Sequence, residues 1–190
     1  MLYSILKPLA VFVFKVFFRM EVKGREKIPE RGRFILASNH LSFLDPVVLG
    51  VACPRRLYFL AKEELFHNSL FSLFIRVLGA IPLRRNYSDL KAIKKSLAVL
   101  NKENPLVIFP QGTRERYDGI KEGVGFLAKK SKSPVVVARI IGTDKVLPKG
   151  EKKIRLKKIK VIFDKLSDNA YPESYQEFSL KVFERIMNLD

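Results

Sequence analysis

The sequence is poor in the residue types that build disulfide bonds and metal centres. Cys53 is the single cysteine of the 190-residue chain, and His40 and His67 are its two histidines. A lone cysteine cannot form a disulfide bond within the chain, which favours the reducing cytosol as its compartment. Two histidines exclude a histidine-rich metal centre, and we find no ligand set for zinc. We therefore expect no metal site.

Acidic residues are also scarce relative to basic ones. The chain has 36 Lys and Arg against 19 Asp and Glu, which gives a formal net charge of +17. Such an excess indicates a polyanionic partner, either a nucleic acid or an anionic lipid surface. Hydrophobic residues make up 47% of the chain. One folded domain with a substantial core is therefore expected, and disorder of the whole chain is excluded.

The apolar segment 1–20 lacks the uninterrupted length that a transmembrane helix needs. Lys7 and Lys15 interrupt it, whereas about 20 nearly continuous apolar residues span a bilayer. It also lacks the small-residue cleavage site of a signal peptide. In helical projection Lys7, Lys15 and Arg19 fall within roughly a third of the circumference. We predict a helix lying in the membrane interface with this basic strip toward the head groups. The alternative is an amphipathic helix packed on the protein's own core.

A second apolar stretch, Leu65–Leu78, has few polar positions. At about 14 residues it is too short to cross a bilayer. It is interpreted either as a buried core helix or as a second membrane-contacting surface, and the sequence does not separate the two.

Short β-branched runs alternate with helical patterns from residue 33 onward. This alternation predicts an α/β fold with a central mixed, largely parallel sheet flanked by helices. Strands are expected at Phe34–Ala37, Leu57–Leu60, Ala80–Leu83, Leu106–Phe109 and Val135–Ile141. Helices are expected at Pro46–Val51, Leu65–Leu78, Ser88–Asn101, Gly119–Lys130 and Pro172–Asn188. We divide the chain into an interfacial membrane helix, residues 1–20, and one domain, residues 21–190.

A histidine and an aspartate follow the first of these strands. His40 lies just beyond the strand end, where a neutral imidazole suits proton abstraction near pH 7. Asp45 lies about 140° from it on an ideal helix, so the pair would not meet inside one. A turn that places Asp45 at the helix start brings its carboxylate back to the ring, where it fixes the tautomer and stabilises the imidazolium. The alternative is that Asp45 only caps the helix and His40 is a turn residue.

Two further segments place cationic groups at predicted strand ends, where an open α/β sheet usually binds its ligand. Pro110–Arg114 contains Gly112, which permits close backbone approach, and Arg114, which can grip a phosphate in a two-pronged contact. Gly79–Arg85 ends in the paired arginines Arg84 and Arg85. Each could be solvated surface charge, but together with His40 they indicate a base beside a phosphate-bearing substrate.

In combination these segments resemble the glycerolipid acyltransferases, specifically the bacterial 1-acyl-sn-glycerol-3-phosphate (lysophosphatidate) acyltransferases. The resemblance runs from about Val22 to Thr143. Asn39-His40 through Asp45 matches the family's Asn-His-x-x-x-x-Asp block. Its second, third and fourth blocks are matched by Gly79–Arg85, Phe109–Arg114 and Ser133–Ala138.

The resemblance implies transfer of a fatty acyl group from acyl-CoA or acyl carrier protein to the 2-hydroxyl of lysophosphatidate, giving phosphatidate. In that scheme His40 is the general base and Asp45 orients it. The residues implied to bind the acceptor substrate are Arg84, Arg85, Gln111, Gly112, Thr113 and Arg114. No cofactor is implied beyond the acyl donor. The lipid substrates imply a peripheral or monotopic enzyme at the cytoplasmic face of the cell membrane, in contact with anionic lipids and not with nucleic acid.

Two positions depart from the family's blocks. The third block normally has Glu where this chain has Gln111, which keeps the size of the side chain and removes its charge. Any role that needs a carboxylate at this position is therefore in question. The fourth block usually carries a second proline in place of Ala138, a change that touches no proton chemistry.

Other functions stay open on the sequence alone. The acceptor could be another lysolipid, or the chain could be a basic module that binds anionic lipid or nucleic acid without catalysis. The basic run Lys152–Lys160 is interpreted either as part of a lipid-facing surface or as a solvated edge strand guarded by lysines.

Overall fold

A seven-stranded sheet organises the computed structural model, which describes residues 2–83, 90–112, 119–166 and 174–190. Its strands are β1 (Glu21–Lys23), β2 (Ile35–Ser38), β3 (Tyr58–Lys62), β4 (Ala80–Leu83), β5 (Leu106–Ile108), β6 (Val135–Ile141) and β7 (Lys160–Lys165). They lie in the order β1-β7-β6-β2-β5-β3-β4. In the described part of the chain β6 and β7 pair antiparallel, and the other neighbours pair parallel. The predicted mixed, largely parallel sheet is confirmed.

Helices cover both faces of the sheet. They are α1 (Leu2–Phe17), α2 (Asp45–Ala52), α3 (Ser69–Val77), α4 (Leu90–Asn101), α5 (Gly123–Ser131), α6 (Thr143–Val146) and α7 (Tyr175–Met187). Because successive residues of a strand point to opposite faces, Leu36 of β2 packs in one core cluster with α1 and α2. Its neighbours Ile35 and Ala37 pack in the other, with α4, α5 and α7. The central strands are therefore apolar on both faces, as parallel sheets require.

All five predicted strands are present, with ends that differ by two residues at most. Strands β1 and β7 were not predicted, because the first has three residues and the second begins at the end of a lysine-rich run. The edge-strand interpretation of Lys152–Lys160 is wrong. Residues 151–158 are all exposed and form no strand. The strand that follows them, β7, starts at Lys160 and lies between β1 and β6, so it is not at an edge of the sheet.

The predicted helix Leu65–Leu78 is divided. A 3₁₀ turn, Glu63–Phe66, precedes the shorter helix α3. Leu70 and Leu73 of α3 are 80% and 64% exposed, so the core-helix interpretation is wrong for these two leucines. Contact between this helix and a membrane stays a prediction.

The other predicted helices are confirmed with shifted ends. Helix α5 begins at Gly123 instead of Gly119, since Gly119 adopts a left-handed φ of 93° that no helix continues through. Helix α7 begins after Ser174, whose Oγ accepts a hydrogen bond from the Glu177 N–H as an N-cap. The predicted starts at Ser88 and Pro172 lie outside the described residues.

Helix α1 has one face on the core and one face in solvent. Phe14 and Phe18 are buried in the cluster that contains α2. Lys7 Nζ donates to the backbone carbonyls of Cys53 and Pro54 at 2.6 and 3.0 Å, and burial lowers the pKa of this lysine. Lys7 is therefore not part of a strip directed at lipid head groups, because the protein's own carbonyls occupy it. Among the side chains described in this segment, those of residues 6–20, the exposed large apolar ones are Leu9, Phe12, Val16 and Phe17.

No helix in the described ranges combines the length and the apolar character needed to cross a bilayer.

Candidate active site

The candidate site lies where β2 and β5 end side by side. Ala37 of β2 pairs with Ile108 of β5 in parallel register, so the loops that follow these strands emerge at the same edge of the sheet. The first loop carries His40 and the second carries Gln111. This is the carboxyl edge, where open α/β sheets place their ligand sites.

His40 and Asp45 meet across a turn. Nδ1 of His40 lies 2.8 Å from Oδ2 of Asp45, the contact expected when Asp45 stands at the start of α2. The same oxygen accepts the backbone N–H groups of Leu41 and Ser42 at 2.6 and 2.8 Å. The N-cap position of α2 is Leu44, without a side-chain cap. The carboxylate of Asp45 is therefore directed at the turn and the imidazole, and the interpretation that it only caps the helix is wrong.

This contact fixes the tautomer of His40. A carboxylate oxygen that already accepts two N–H groups is an acceptor, so Nδ1 carries the hydrogen and donates it. Nε2 is then the basic nitrogen. The side chain of Asp45 is fully buried, and that of His40 is 12% exposed. The imidazole stacks on the Phe109 ring with centroids 4.1 Å apart and an interplanar angle of 18°, which holds the ring plane.

Asn39 and Ser42 tie the same loop to the far side of the site through contacts that the sequence did not predict. Asn39 Nδ2 donates to the Ile140 carbonyl at 2.8 Å, and the Ile140 N–H donates to Asn39 Oδ1 at 2.7 Å. Ser42 Oγ donates to the Leu147 carbonyl at 2.9 Å. An asparagine directly after a buried strand was the available signal, because its amide can pair with a backbone as another strand would.

The side chain of Gln111 contacts the main chain of His40, the candidate general base. The N–H of His40 donates to Gln111 Oε1 at 2.7 Å. Gly112 closes the turn after β5: its N–H donates to the Phe109 carbonyl at 2.9 Å, and its φ of 66° lies in the left-handed region that favours glycine. The contacts of these two residues with a substrate stay predictions.

Four of the predicted site residues, Arg84, Arg85, Thr113 and Arg114, lie outside the described residues. Their roles toward an acceptor phosphate stay predictions. In the sequence, Arg84 and Arg85 directly follow Leu83, the last residue of β4, and Thr113 and Arg114 directly follow Gly112.

The side chains of Ser42 and Cys53 are not arranged to act as nucleophiles in covalent catalysis. Ser42 is buried and its hydroxyl is engaged with a carbonyl. Cys53 is fully buried, and that burial raises the pKa of its thiol, which disfavours the reactive thiolate. Within the described ranges no cluster of three or more His, Cys, Asp or Glu side chains could hold a metal ion.

Comparison with known proteins places this geometry in a family context. A family model described as Acyltransferase matches residues 19–141, which include both loops of the site. A 1-acyl-sn-glycerol-3-phosphate acyltransferase from Streptococcus pneumoniae is 33% identical over 75% of this chain and 55% of its own length. The protein of that name from Bacillus subtilis is 31% identical over 65% of this chain and 63% of its own length. The chain thus spans 55% of the length of the first relative and 63% of the length of the second.

A solved structure has the same fold. The crystal structure of the 1-acyl-sn-glycerophosphate (LPA) acyltransferase PlsC from Thermotoga maritima superposes with a TM-score of 0.80. The match covers 97% of this chain and 76% of that one at 26% sequence identity. The likeness therefore extends beyond the site loops to nearly the whole of the present chain.

Proposed function

This chain belongs to the acyltransferase family, and we propose that it transfers a fatty acyl group from an acyl thioester to the 2-hydroxyl of lysophosphatidate, giving phosphatidate. The donor is acyl-CoA or acyl carrier protein. The observation that carries the proposal is the 2.8 Å contact between His40 and the buried carboxylate of Asp45 at the carboxyl edge of the sheet. The names of the relatives support the choice of acceptor and product.

The proposed mechanism is a direct transfer with His40 as general base. Nε2 of His40 takes the proton of the acceptor's 2-hydroxyl as that oxygen attacks the thioester carbonyl carbon. The resulting tetrahedral intermediate collapses, the carbon–sulfur bond breaks, and the imidazolium returns the proton to the departing thiolate. Asp45 stabilises the imidazolium while it exists and keeps Nδ1 as the donor throughout.

Phosphate recognition in this proposal comes from the loops after β4 and β5. Arg84, Arg85 and Arg114 would supply charge, since guanidinium groups bind phosphate oxygens in pairs. Gln111, Gly112 and Thr113 would complete the site. The support is positional: Leu83 is the last residue of β4 and Gly112 follows β5, and both strands pair in parallel with β3, so they end at the same edge of the sheet.

An acceptor comparison tests the proposed substrate. Purified protein is incubated with a labelled acyl thioester and either lysophosphatidate or a monoacylglycerol, which lacks the phosphate. We expect labelled phosphatidate from the first, and product from the second at a rate at least about tenfold lower, because charged phosphate contacts are lost. A parallel reaction with lysophosphatidylcholine examines the alternative lysolipid acceptor. Equal rates with all three acceptors would contradict phosphate recognition, and a preference for lysophosphatidylcholine would identify a different acceptor.

We further propose that the protein works at the cytoplasmic surface of the cell membrane as a peripheral or monotopic enzyme. The support is a surface, here called the apolar–basic face, formed by the exposed side of α1 and residues 152–158. The two segments lie next to each other at their ends, because the N–H of Ile159, which follows residues 152–158, donates to the carbonyl of Phe18, which follows α1, at 3.1 Å. Ile154 and Leu156 are exposed among basic neighbours, a composition suited to anionic lipid.

The apolar–basic face also adjoins the active-site loop. The N–H of Arg155 donates to the Val146 carbonyl at 2.8 Å, and the next residue, Leu147, accepts the hydroxyl of Ser42. A membrane bound on this face would therefore lie close to the loop that carries His40. Lysophosphatidate and phosphatidate reside in that membrane, so the proposal lets substrate and product stay in it.

Substitution on the apolar–basic face tests this location. We expect Phe12→Asp to lower the affinity for phosphatidylglycerol vesicles by about tenfold or more, because a large apolar side chain no longer enters the interface. Vesicle co-sedimentation measures it. The control is Leu180→Asp, which alters an exposed leucine of α7 on the opposite face of the sheet. Equal binding by the two variants would contradict the proposed face.

A further inference from the structure

Three consecutive backbone amides after β2 are held by side chains. The N–H groups of Leu41 and Ser42 donate to Asp45, four and three residues further along the chain. The N–H of His40 donates instead to Gln111 Oε1, at 2.7 Å and across 71 residues of sequence. Gln111 therefore joins the loop after β5 to the main chain of the residue that carries the proposed proton transfer.

Resting on the proposed function, we infer that Gln111 is a positioning residue that holds the backbone of His40 through its amide oxygen. The contact requires a hydrogen-bond acceptor, and an amide oxygen accepts an N–H as a carboxylate does. Glutamine also matches the length of the glutamate that stands here in the family's third block. The replacement in this chain therefore keeps the contact and removes one negative charge.

Two substitutions separate the acceptor from the charge. Gln111→Met keeps the size and removes the acceptor, and we expect it to lower kcat by about tenfold or more with KM nearly unchanged, because the base loses its position. Gln111→Glu restores the acceptor, and we expect its kcat to lie within about threefold of that of the unaltered chain. The matched control is Gln176→Met, which changes the chain's other glutamine, whose Nε2 donates to the Ile120 carbonyl.

A readout that needs no activity accompanies the kinetics. Hydrogen exchange of the His40 backbone amide, followed by NMR, should be slow in the unaltered chain and in Gln111→Glu, and faster in Gln111→Met. Thermal unfolding verifies that each variant folds.

Three outcomes would overturn the inference: equal His40 exchange in all three proteins, an unchanged kcat in Gln111→Met, or a loss of kcat in Gln111→Glu equal to that in Gln111→Met. Absence of acyl transfer in every protein, with the exchange pattern as expected, would refute the proposed function and leave the contact itself confirmed.

Discussion

Replacement of His40 by alanine is expected to reduce acyl transfer by about 10³-fold or more, because the acceptor hydroxyl then loses its general base. The fold should survive. The His40 side chain is close to the surface, and Asp45 Oδ2 keeps the two backbone N–H groups of Leu41 and Ser42. The measurement is initial rate of phosphatidate formation at saturating substrates, together with thermal unfolding and vesicle binding.

The chain offers a matched control for this substitution. His67, its other histidine, is exposed at the end of the 3₁₀ turn Glu63–Phe66. We expect His67→Ala to keep the full rate. Turnover of a folded His40→Ala protein within about tenfold of the unaltered chain would refute the assignment of His40 as the base, since general-base catalysis contributes more than that.

Asp45→Asn is expected to lower kcat by about 10²-fold or more while the protein stays folded. Asparagine can leave an amide oxygen at the position of Oδ2, so the N–H groups of Leu41 and Ser42 keep an acceptor. What is lost is the negative charge that stabilises the imidazolium. The amide nitrogen then occupies the position of Oδ1, which is buried and has no hydrogen-bond partner among the described residues.

Two further variants make the Asp45 result decisive. Asp144→Asn removes a carboxylate that is exposed on α6, and we expect it to leave kcat unchanged. In a His40→Ala background, Asp45→Asn should have little additional effect, because groups that act as one unit give non-additive losses. A full additional loss in the double variant would mean that Asp45 acts independently of His40.

The sequence predicted the parts of the fold in which local pattern and burial coincide. Strands β2 and β5 and the first four residues of β6 are short, mostly β-branched and aliphatic runs buried on both faces, and each strand was expected close to its observed position. Strand β7 was missed because its neighbouring lysines indicated a solvated surface. Its first residue does pair in the sheet, with Glu21 of β1, and no local pattern contains that long-range pairing.

The candidate site was predictable where its contacts are local. The five-residue spacing of His40 and Asp45 indicated a turn, and the structure has the corresponding hydrogen bond. The remaining supports come from distant segments. Asn39 contacts Ile140 across 101 residues, and Phe109 stacks on His40 only because β2 and β5 are parallel neighbours. The partner of Gln111 depends on the same strand register, so the sequence placed it against substrate without locating its contact to His40.

The most direct test of the central claim is product analysis of the unaltered chain. Purified protein is incubated with an isotope-labelled acyl thioester and lysophosphatidate in anionic vesicles, and the lipids are identified by mass spectrometry. We expect labelled phosphatidate with the label at the 2-position, formed at the rate at which the thioester is consumed and only when lysophosphatidate is present. Thioester consumption that yields free fatty acid at the same rate without an acceptor, or no consumption at all by the folded protein, would contradict the proposed acyl transfer.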